Sequence, residues 1–476
     1  MSGIVVVMSD KECAETVRIA ANYLSHSGNR FGGMAVWYDS HPIKRIHTLG
    51  NSKYLEKFKG EFADLPIDVC MGVISPKDEQ PLVFENKHGR FAIITDGNTG
   101  NLDELAEKLL SEGVTFSESK NGDYNITEIC GAIISQGKDY VDGINKLWDK
   151  IDGFGSVSLM LLTEEGAIVA RDRRGTSPLI VGERPDSFMV TNETTPFYNL
   201  GFRFKNELKP GQITLLNKEG PVPVISGCDI EKLCSFGFVY NDFPSSINHG
   251  VLVEKSRNRS GEISAGKDKK LGIKADYCAG VPDSGIGYAI GRANASGIPF
   301  ARPLLKYTPG GFDRSYTRET QEQRDRTAHY KIIALYEMIH DLVGMIDDDS
   351  LVRGTQMRKL IKKIGDCEPK GIHLRLACPP PSFPCIYNQS TREKHELAAR
   401  RAINAIVGHD VQNIDEYLNP ESSKHQQMVE WIRNDINSLA GREVVKTVGY
   451  QHLDDMIKAI NLPEERLCTY CFTGKK

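Results

Sequence analysis

The chain has 476 residues, of which 40% are hydrophobic and 26% charged, and its formal net charge is −4. That length exceeds one ordinary domain, the balance is that of a soluble globular protein, and the slight negative charge gives no reason to expect a nucleic-acid partner. No apolar run approaches membrane-spanning length, the N-terminus lacks the basic segment and cleavage site of a signal peptide, and the 11 scattered cysteines argue against a disulfide framework, so a cytoplasmic, reducing location is expected.

Gly3 to Met8 is rich in Val and Ile and reads as a strand. Lys11 to Ser25 carries Ala14, Val17, Ala20, Ala21 and Leu24 at helical spacing. His26-Ser-Gly-Asn-Arg30 breaks that helix, and Gly33 to Tyr38 makes a second strand. Further strands are expected at 69–74, 91–95, 157–162, 167–171, 179–181 and 212–216, and helices at 102–111 and 126–135. Two sheets with helices outside account for this order.

In the second half, Cys234-Ser-Phe-Gly-Phe-Val-Tyr240 alternates like a strand. The charged segment 256–270, with two glycines, reads as a loop or a frayed helix start. Ala279-Gly-Val-Pro-Asp-Ser-Gly285 forms a turn between a short strand and a helix at 287–295. Lys306-Tyr-Thr-Pro-Gly-Gly-Phe-Asp-Arg-Ser-Tyr-Thr317 is a glycine-rich loop with basic and aromatic residues. The apolar run Leu342 to Ile346 then reads as a buried strand, followed by Asp347, Asp348, Asp349 and Ser350, and by Arg353-Gly-Thr355 before a helix through Met357. Backbone N–H groups of such a turn can cradle a phosphate at the positive end of the helix dipole. The acids at the strand end repel phosphate and suit ribose hydroxyls or a hydrated Mg²⁺. Helices are expected at 393–407 and 424–439, and they carry no recognisable chemistry.

The stretch Ile346-Asp-Asp-Asp-Ser-Leu-Val-Arg-Gly-Thr355 resembles the phosphoribosyl-pyrophosphate (PRPP) loop of type I phosphoribosyltransferases and, within them, the amidophosphoribosyltransferase family. The resemblance implies an α+β N-terminal αββα sandwich of the N-terminal-nucleophile type over 1–230, glutaminase-like, followed by an α/β type I phosphoribosyltransferase domain over 231–476. It implies attack of ammonia on C1 of PRPP, yielding 5-phosphoribosylamine and pyrophosphate for purine nucleotide biosynthesis. Asp348 and Asp349 would then hold the ribose hydroxyls, directly or through Mg²⁺, with Ser284 near the metal. Ser284 and Gly285 belong to a segment similar to the family's pyrophosphate loop. Ser350, Val352, Arg353, Gly354 and Thr355 would hold the 5-phosphate. Lys306 and Arg314 would neutralise the leaving pyrophosphate, with Gln321, Arg324 and Lys331 following in the family's spacing. Cys234, Cys385, Cys468 and Cys471 fall where the iron–sulfur form of the family places its [4Fe–4S] ligands. A four-thiolate zinc site and unligated thiols stay open as alternatives for them. Cys70, Cys130, Cys228, Cys278, Cys367 and Cys378 read as packing or surface residues. A homo-oligomer is expected.

The N-terminal half resembles the glutaminase domain of the same family through Leu24-Ser-His-Ser-Gly-Asn29, Thr95-Asp-Gly-Asn-Thr-Gly-Asn101, Ala170-Arg-Asp-Arg-Arg-Gly175, Thr191-Asn-Glu-Thr194 and Glu207-Leu-Lys-Pro-Gly211. Four parts of the active site depart from it. Ser2 stands at the position of the nucleophilic cysteine. Asp96 replaces an oxyanion-hole Asn. Gly72-Val-Ile-Ser-Pro76 lacks the Arg for the glutamine carboxylate, and Ile126 replaces the Asp for its ammonium. Losing one oxyanion donor alone costs about a hundred- to a thousandfold in rate. The expectation is an inactive glutaminase half, with ammonia rather than glutamine as the nitrogen source. A non-catalytic, PRPP-binding regulatory paralogue is the alternative.

Overall fold

Gly3–Ser9 is buried along its whole length and stands fourth in a seven-stranded antiparallel sheet. The strand order is Arg203–Glu207, Ile180–Arg184, Ser187–Thr191, Gly3–Ser9, Val69–Ser75, Phe31–Tyr38 and His41–Thr48. The computed structural model describes residues 1–11, 13–28, 30–50, 52–118, 123–307, 332–388 and 393–475. Alternation along Gly3–Ser9 divides its side chains between two cores. Ile4, Val6 and Met8 pack with Ala92, Ile94, Met160 and Leu162 of a second sheet. Val5 and Val7 face the other way, onto Val17, Ala20 and Ala21 of the helix Cys13–Tyr23. The second sheet is antiparallel and six-stranded, in the order Gly220–Ser226, Gln212–Asn217, Gly166–Ala170, Gly155–Thr163, Gly89–Thr99 and Leu82–Asn86. Its outer face is covered by Leu102–Ser111, Ile126–Ser135 and Tyr140–Ile151. The layers run helix, sheet, sheet, helix, as expected. This first compact unit comprises Met1–Cys234, Ser245–Gly250 and Ile386–Ser390.

The second unit comprises Ser235–Pro244, Val251–Cys385 and Thr391–Lys476. Its centre is a four-stranded parallel sheet in the order Tyr277–Gly280, Val343–Asp348, Gly371–Leu376 and Val445–Tyr450. On one face, Ile346, Ile372 and Leu374 pack with Ile361, Ala402 and Ile432 of the helices Thr355–Gly365, Ala398–Val407 and Ser423–Asn437. On the other, Cys278 and Met345 pack with Ala293 of Ile286–Ser296. The helix Val253–Lys270 lies against Ile286–Ser296 at two glycines: a Cβ on Gly261 would stand 2.0 Å from the Tyr288 carbonyl, and one on Gly291 1.9 Å from that of Asn258. Among the described residues no helix is long and apolar enough to cross a membrane.

Three local expectations need correction. Residues 256–270 are not a loop but most of the 18-residue helix Val253–Lys270, whose buried face includes Ser256, Arg257, Ser260 and Asp268. Cys234 to Tyr240 is not a strand: only Leu233–Cys234 is extended, and Gly237–Asn241 winds into one wide helical turn. Arg257 holds that turn by donating to the carbonyls of Phe238 (3.0 Å), Tyr240 (3.3 Å) and Asp242 (2.9 Å), so no neighbouring strand is needed for them. The helix expected from 393 begins only at Ala398, after a short turn at Lys394–Glu396.

Candidate functional site

The strand Val343–Asp348 delivers its acids to the C-terminal edge of the parallel sheet, where open α/β sheets bind ligands. The Ser284 hydroxyl lies 3.4 Å from Asp348 Oδ1. The backbone N–H of Asp349 donates to the same oxygen at 3.0 Å, and the Ser350 hydroxyl donates to Asp349 Oδ1 at 2.5 Å. Burial and the neighbouring Asp349 carboxylate push Asp348 well above the usual carboxylate range, and burial raises Asp349 as well. Two adjacent buried acids of this kind gain most from a cation or from hydroxyl donors supplied by a ligand. Cys378 is buried near the pair, and its thiol is pushed well up by burial and then by Asp349 and Asp348.

The turn that follows is fastened from outside. Ala398 N–H donates to the Val352 carbonyl at 2.7 Å, and Arg401 donates to the Arg353 carbonyl at 3.0 Å. Gly354 caps the helix Thr355–Gly365 at φ 79°, a conformation that favours glycine. Ser350 to Thr355 thereby form a turn at a helix N-terminus, which supplies oriented N–H groups for an anion. The Arg353 guanidinium turns outward, 2.6 Å from Glu396, so Val352 and Arg353 are held here through their backbones.

The loop after Tyr277–Gly280 is docked on the acid strand: Val281 N–H donates to the Asp347 carbonyl at 2.9 Å, and Gly285 N–H to that of Val281 at 2.8 Å. Lys306, at the end of Leu304–Lys306, reaches the same loop with its ammonium 2.5 Å from Asp283. Ser284, Gly285, Lys306, Asp348, Asp349 and the turn 350–355 therefore belong to one edge of one unit. Arg314, Gln321, Arg324 and Lys331 lie outside the described residues. Residues that the sequence reading missed surround the acids from behind. Arg257 faces Asp349 electrostatically, and Arg292 grips Asp347. Single arginines in polar helices carry no pattern that marks them out.

In the first unit, Ser2 is buried and its N–H donates to Asp96 Oδ1 at 2.7 Å. Asn192 donates to the Ser2 carbonyl at 2.8 Å and to Asp96 Oδ2 at 3.3 Å, and Gln80 donates to the Ser2 hydroxyl at 3.3 Å. Burial raises the Asp96 carboxyl. The fold thus brings Ser2 and Asp96 together, with the Asp96 carboxyl bonded to the Ser2 N–H and to Asn192. Ile126 opens the helix Ile126–Ser135 and packs in the outer apolar core. The strand Val69–Ser75 offers no arginine.

Cys385, Cys468 and Cys471 belong to the second unit. The Cys471 carbonyl accepts from Ser382 N–H at 2.9 Å and Phe383 N–H at 3.1 Å, which lays the 379–385 segment on the chain's last helical turn. Burial, then Cys385 and Cys468, raise the Tyr470 hydroxyl, so both thiols stand in electrostatic range of one ring. Ser235 donates to the Cys468 carbonyl at 2.7 Å. Cys234 donates its N–H to the Thr176 carbonyl at 3.1 Å within the first unit. Among the described residues no three His, Cys, Asp or Glu are grouped as a metal site. Ser284, Asp348 and Asp349 offer one hydroxyl and two carboxylates, the oxygen set that would hold a hydrated divalent cation.

A family model described as "Glutamine amidotransferase domain" matches residues 64–199. The amidophosphoribosyltransferase of Synechocystis is 30% identical over 338 residues, 70% of this chain and 67% of that protein. That of Methanothermobacter thermautotrophicus is 28% identical and covers 99% of this chain and 93% of its own. The glutamine PRPP amidotransferase of Bacillus subtilis, solved in complex with ADP and GMP, superposes with a TM-score of 0.80 over 99% of this chain and 96% of that one, at 24% identity.

Proposed function

The chain belongs to the amidophosphoribosyltransferase family, a family of phosphoribosyltransferases, and from that premise we propose that it makes 5-phosphoribosylamine and pyrophosphate from PRPP and ammonia, with 231–476 as the transferase and 1–230 as an inactive glutaminase-like domain. The observation that carries the reading is the meeting of Ser284, Asp348 and Asp349 beside the turn 350–355 at the edge of the parallel sheet. In this reading the turn 350–355 holds the 5-phosphate, and Asp348 and Asp349 hold the ribose hydroxyls. Lys306 leaves Asp283 for the pyrophosphate. Ammonia attacks C1, the C1–O bond to pyrophosphate breaks, and the proton lost by the new amine goes to solvent. No side chain is the nucleophile. The protein's part is to place C1 and to set positive charge where the leaving group gains negative charge. Mg²⁺, when bound by Ser284, Asp348 and Asp349, supplies further charge neutralisation there.

The glutaminase is taken as inactive because Ser2 faces the Asp96 carboxylate, and neither the missing arginine nor an acid at Ile126 is available to seat glutamine. On the family resemblance, Cys385, Cys468 and Cys471 with Cys234 are proposed to bind a [4Fe–4S] cluster with a structural role, since a phosphoribosyl transfer has no redox step. The bonds from Ser382 and Phe383 to the Cys471 carbonyl, which bring the segment before Cys385 onto the turn carrying Cys471, support this. Asp349→Asn tests the transferase assignment: turnover with ammonium should fall by at least about a hundredfold while circular dichroism stays that of wild type. An unchanged rate would remove this carboxylate from the mechanism.

A further inference from the structure

A third acid, Asp347, precedes the pair assigned to the ribose, and its side chain points to the opposite face of the sheet, with Met345. There it meets Arg292 of Ile286–Ser296. Arg292 Nε lies 3.0 and 2.8 Å from the two Asp347 oxygens, and Nη2 lies 2.9 Å from Oδ1. The same guanidinium donates to Asp268 Oδ2 at 2.5 Å and to the Ser264 hydroxyl at 2.6 Å. Asp268 in turn accepts from Arg375 Nη2 at 2.7 Å and Nε at 2.8 Å. Two arginines and two aspartates, all buried, thus form one electrically neutral chain from Val253–Lys270 across Ile286–Ser296 to two strands of the sheet.

Such a network is a poor way to gain stability, because apolar side chains of similar volume commonly serve as well or better. Its forked hydrogen bonds give direction instead. Asp347 is bonded at both ends: its carboxylate is held by Arg292, and its carbonyl receives Val281 N–H of the loop containing Ser284. The packing leaves no slack, since a Cβ on Gly285 would stand 2.2 Å from the Asp347 carbonyl. Arg292 also sits on the helix that begins directly after Gly285. One fork therefore ties the strand bearing Asp348 and Asp349 to the helix bearing the pyrophosphate loop.

We propose that Arg292 and Asp347 are positioning residues of the PRPP site, fixing the separation between the Ser284 loop and the Asp348–Asp349 pair so that one substrate can engage both. The inference rests on the proposed PRPP-dependent function. A displacement of about 1 Å in such a site is enough to cost about a hundredfold.

The test is calorimetric titration of the full chain with PRPP and Mg²⁺, alongside thermal unfolding. Removing both charges together, as Asp347→Val with Arg292→Met, keeps the remaining Asp268–Arg375 pair neutral. The double variant should unfold within a few degrees of wild type yet bind PRPP at least about tenfold more weakly. Arg292→Lys, which keeps the charge and loses the fork, should weaken binding severalfold with unchanged circular dichroism, and it decides the matter should the double variant not fold. Wild-type affinity in either folded variant overturns the proposal. A wild-type chain that binds no PRPP overturns the proposed function itself, a different result from binding that the variants leave unaltered.

Discussion

Raising the pH will remove a charge on which the interior of the first unit depends. His249 Nε2 lies 3.0 Å from Glu207 Oε1 and 3.0 Å from Glu231 Oε2, and Arg171 reaches the same carboxylates at 3.3 and 3.2 Å. With the imidazole protonated, the four groups are neutral together; without that proton a negative charge is left buried. Burial alone lowers the imidazole pKa, but the hydrogen bonds and attraction of Glu207 and Glu231 outweigh it and carry the value from 6.5 to about 9. A folded-state pKa above the unfolded one means that protonation stabilises the fold. The contribution is complete below 6.5 and is lost as the pH rises through about 9. At about 1.4 kcal/mol for each pH unit between those values, His249 contributes about 3 kcal/mol. Urea unfolding of wild type and His249→Gln at about pH 6 and about pH 10 measures it, because other titrations cancel in the difference. The wild-type advantage should shrink by about 3 kcal/mol across that range. An advantage independent of pH, or an imidazole that titrates near 6.5 by NMR, would refute the reasoning.

Ser2→Ala should leave ammonia-dependent turnover unchanged, and Asp96→Asn alone should not create glutaminase activity, because Ile126 and the strand Val69–Ser75 still offer no charge for glutamine. Glutamate released from glutamine by wild type and not by Ser2→Ala would show that the serine works. Anaerobically purified protein should be brown and contain iron. Cys471→Ser should lose both colour and iron, whereas Cys278→Ser should keep them, since Cys278 packs against Ala293 and Met345. Colourless protein with stoichiometric zinc would show the metal to be wrong.

The elements legible in the sequence were those whose buried faces are apolar. Gly3–Ser9 is buried on both faces and reads as a run of Val and Ile. The strand–turn–helix from Val343 to Gly365 was readable because acids and small polar residues separate an apolar strand from a helix whose buried face is Met357, Leu360, Ile361 and Ile364. Val253–Lys270 was not readable, because most of its buried face is Ser256, Arg257, Ser260, Gly261 and Asp268, and Arg257, Ser260 and Asp268 are held there by hydrogen bonds rather than by apolar contact. The turn at Gly237–Asn241 mimicked a strand by alternation, and its carbonyls are satisfied instead by the distant Arg257 and Tyr288. Tyr140–Ile151 could have been found: Ile144, Leu147, Trp148 and Ile151 recur at helical spacing and are buried. The Arg292–Asp347–Asp268–Arg375 chain joins residues far apart in sequence, and no spacing rule reveals it.

Pyrophosphate release from PRPP and Mg²⁺, measured side by side with ammonium and with glutamine as the only nitrogen source, tests the central claim most directly. Release with ammonium, accompanied by 5-phosphoribosylamine, and none above background with glutamine is the expected result. PRPP bound without pyrophosphate release in the presence of ammonium would contradict it and point to a regulatory, non-catalytic role.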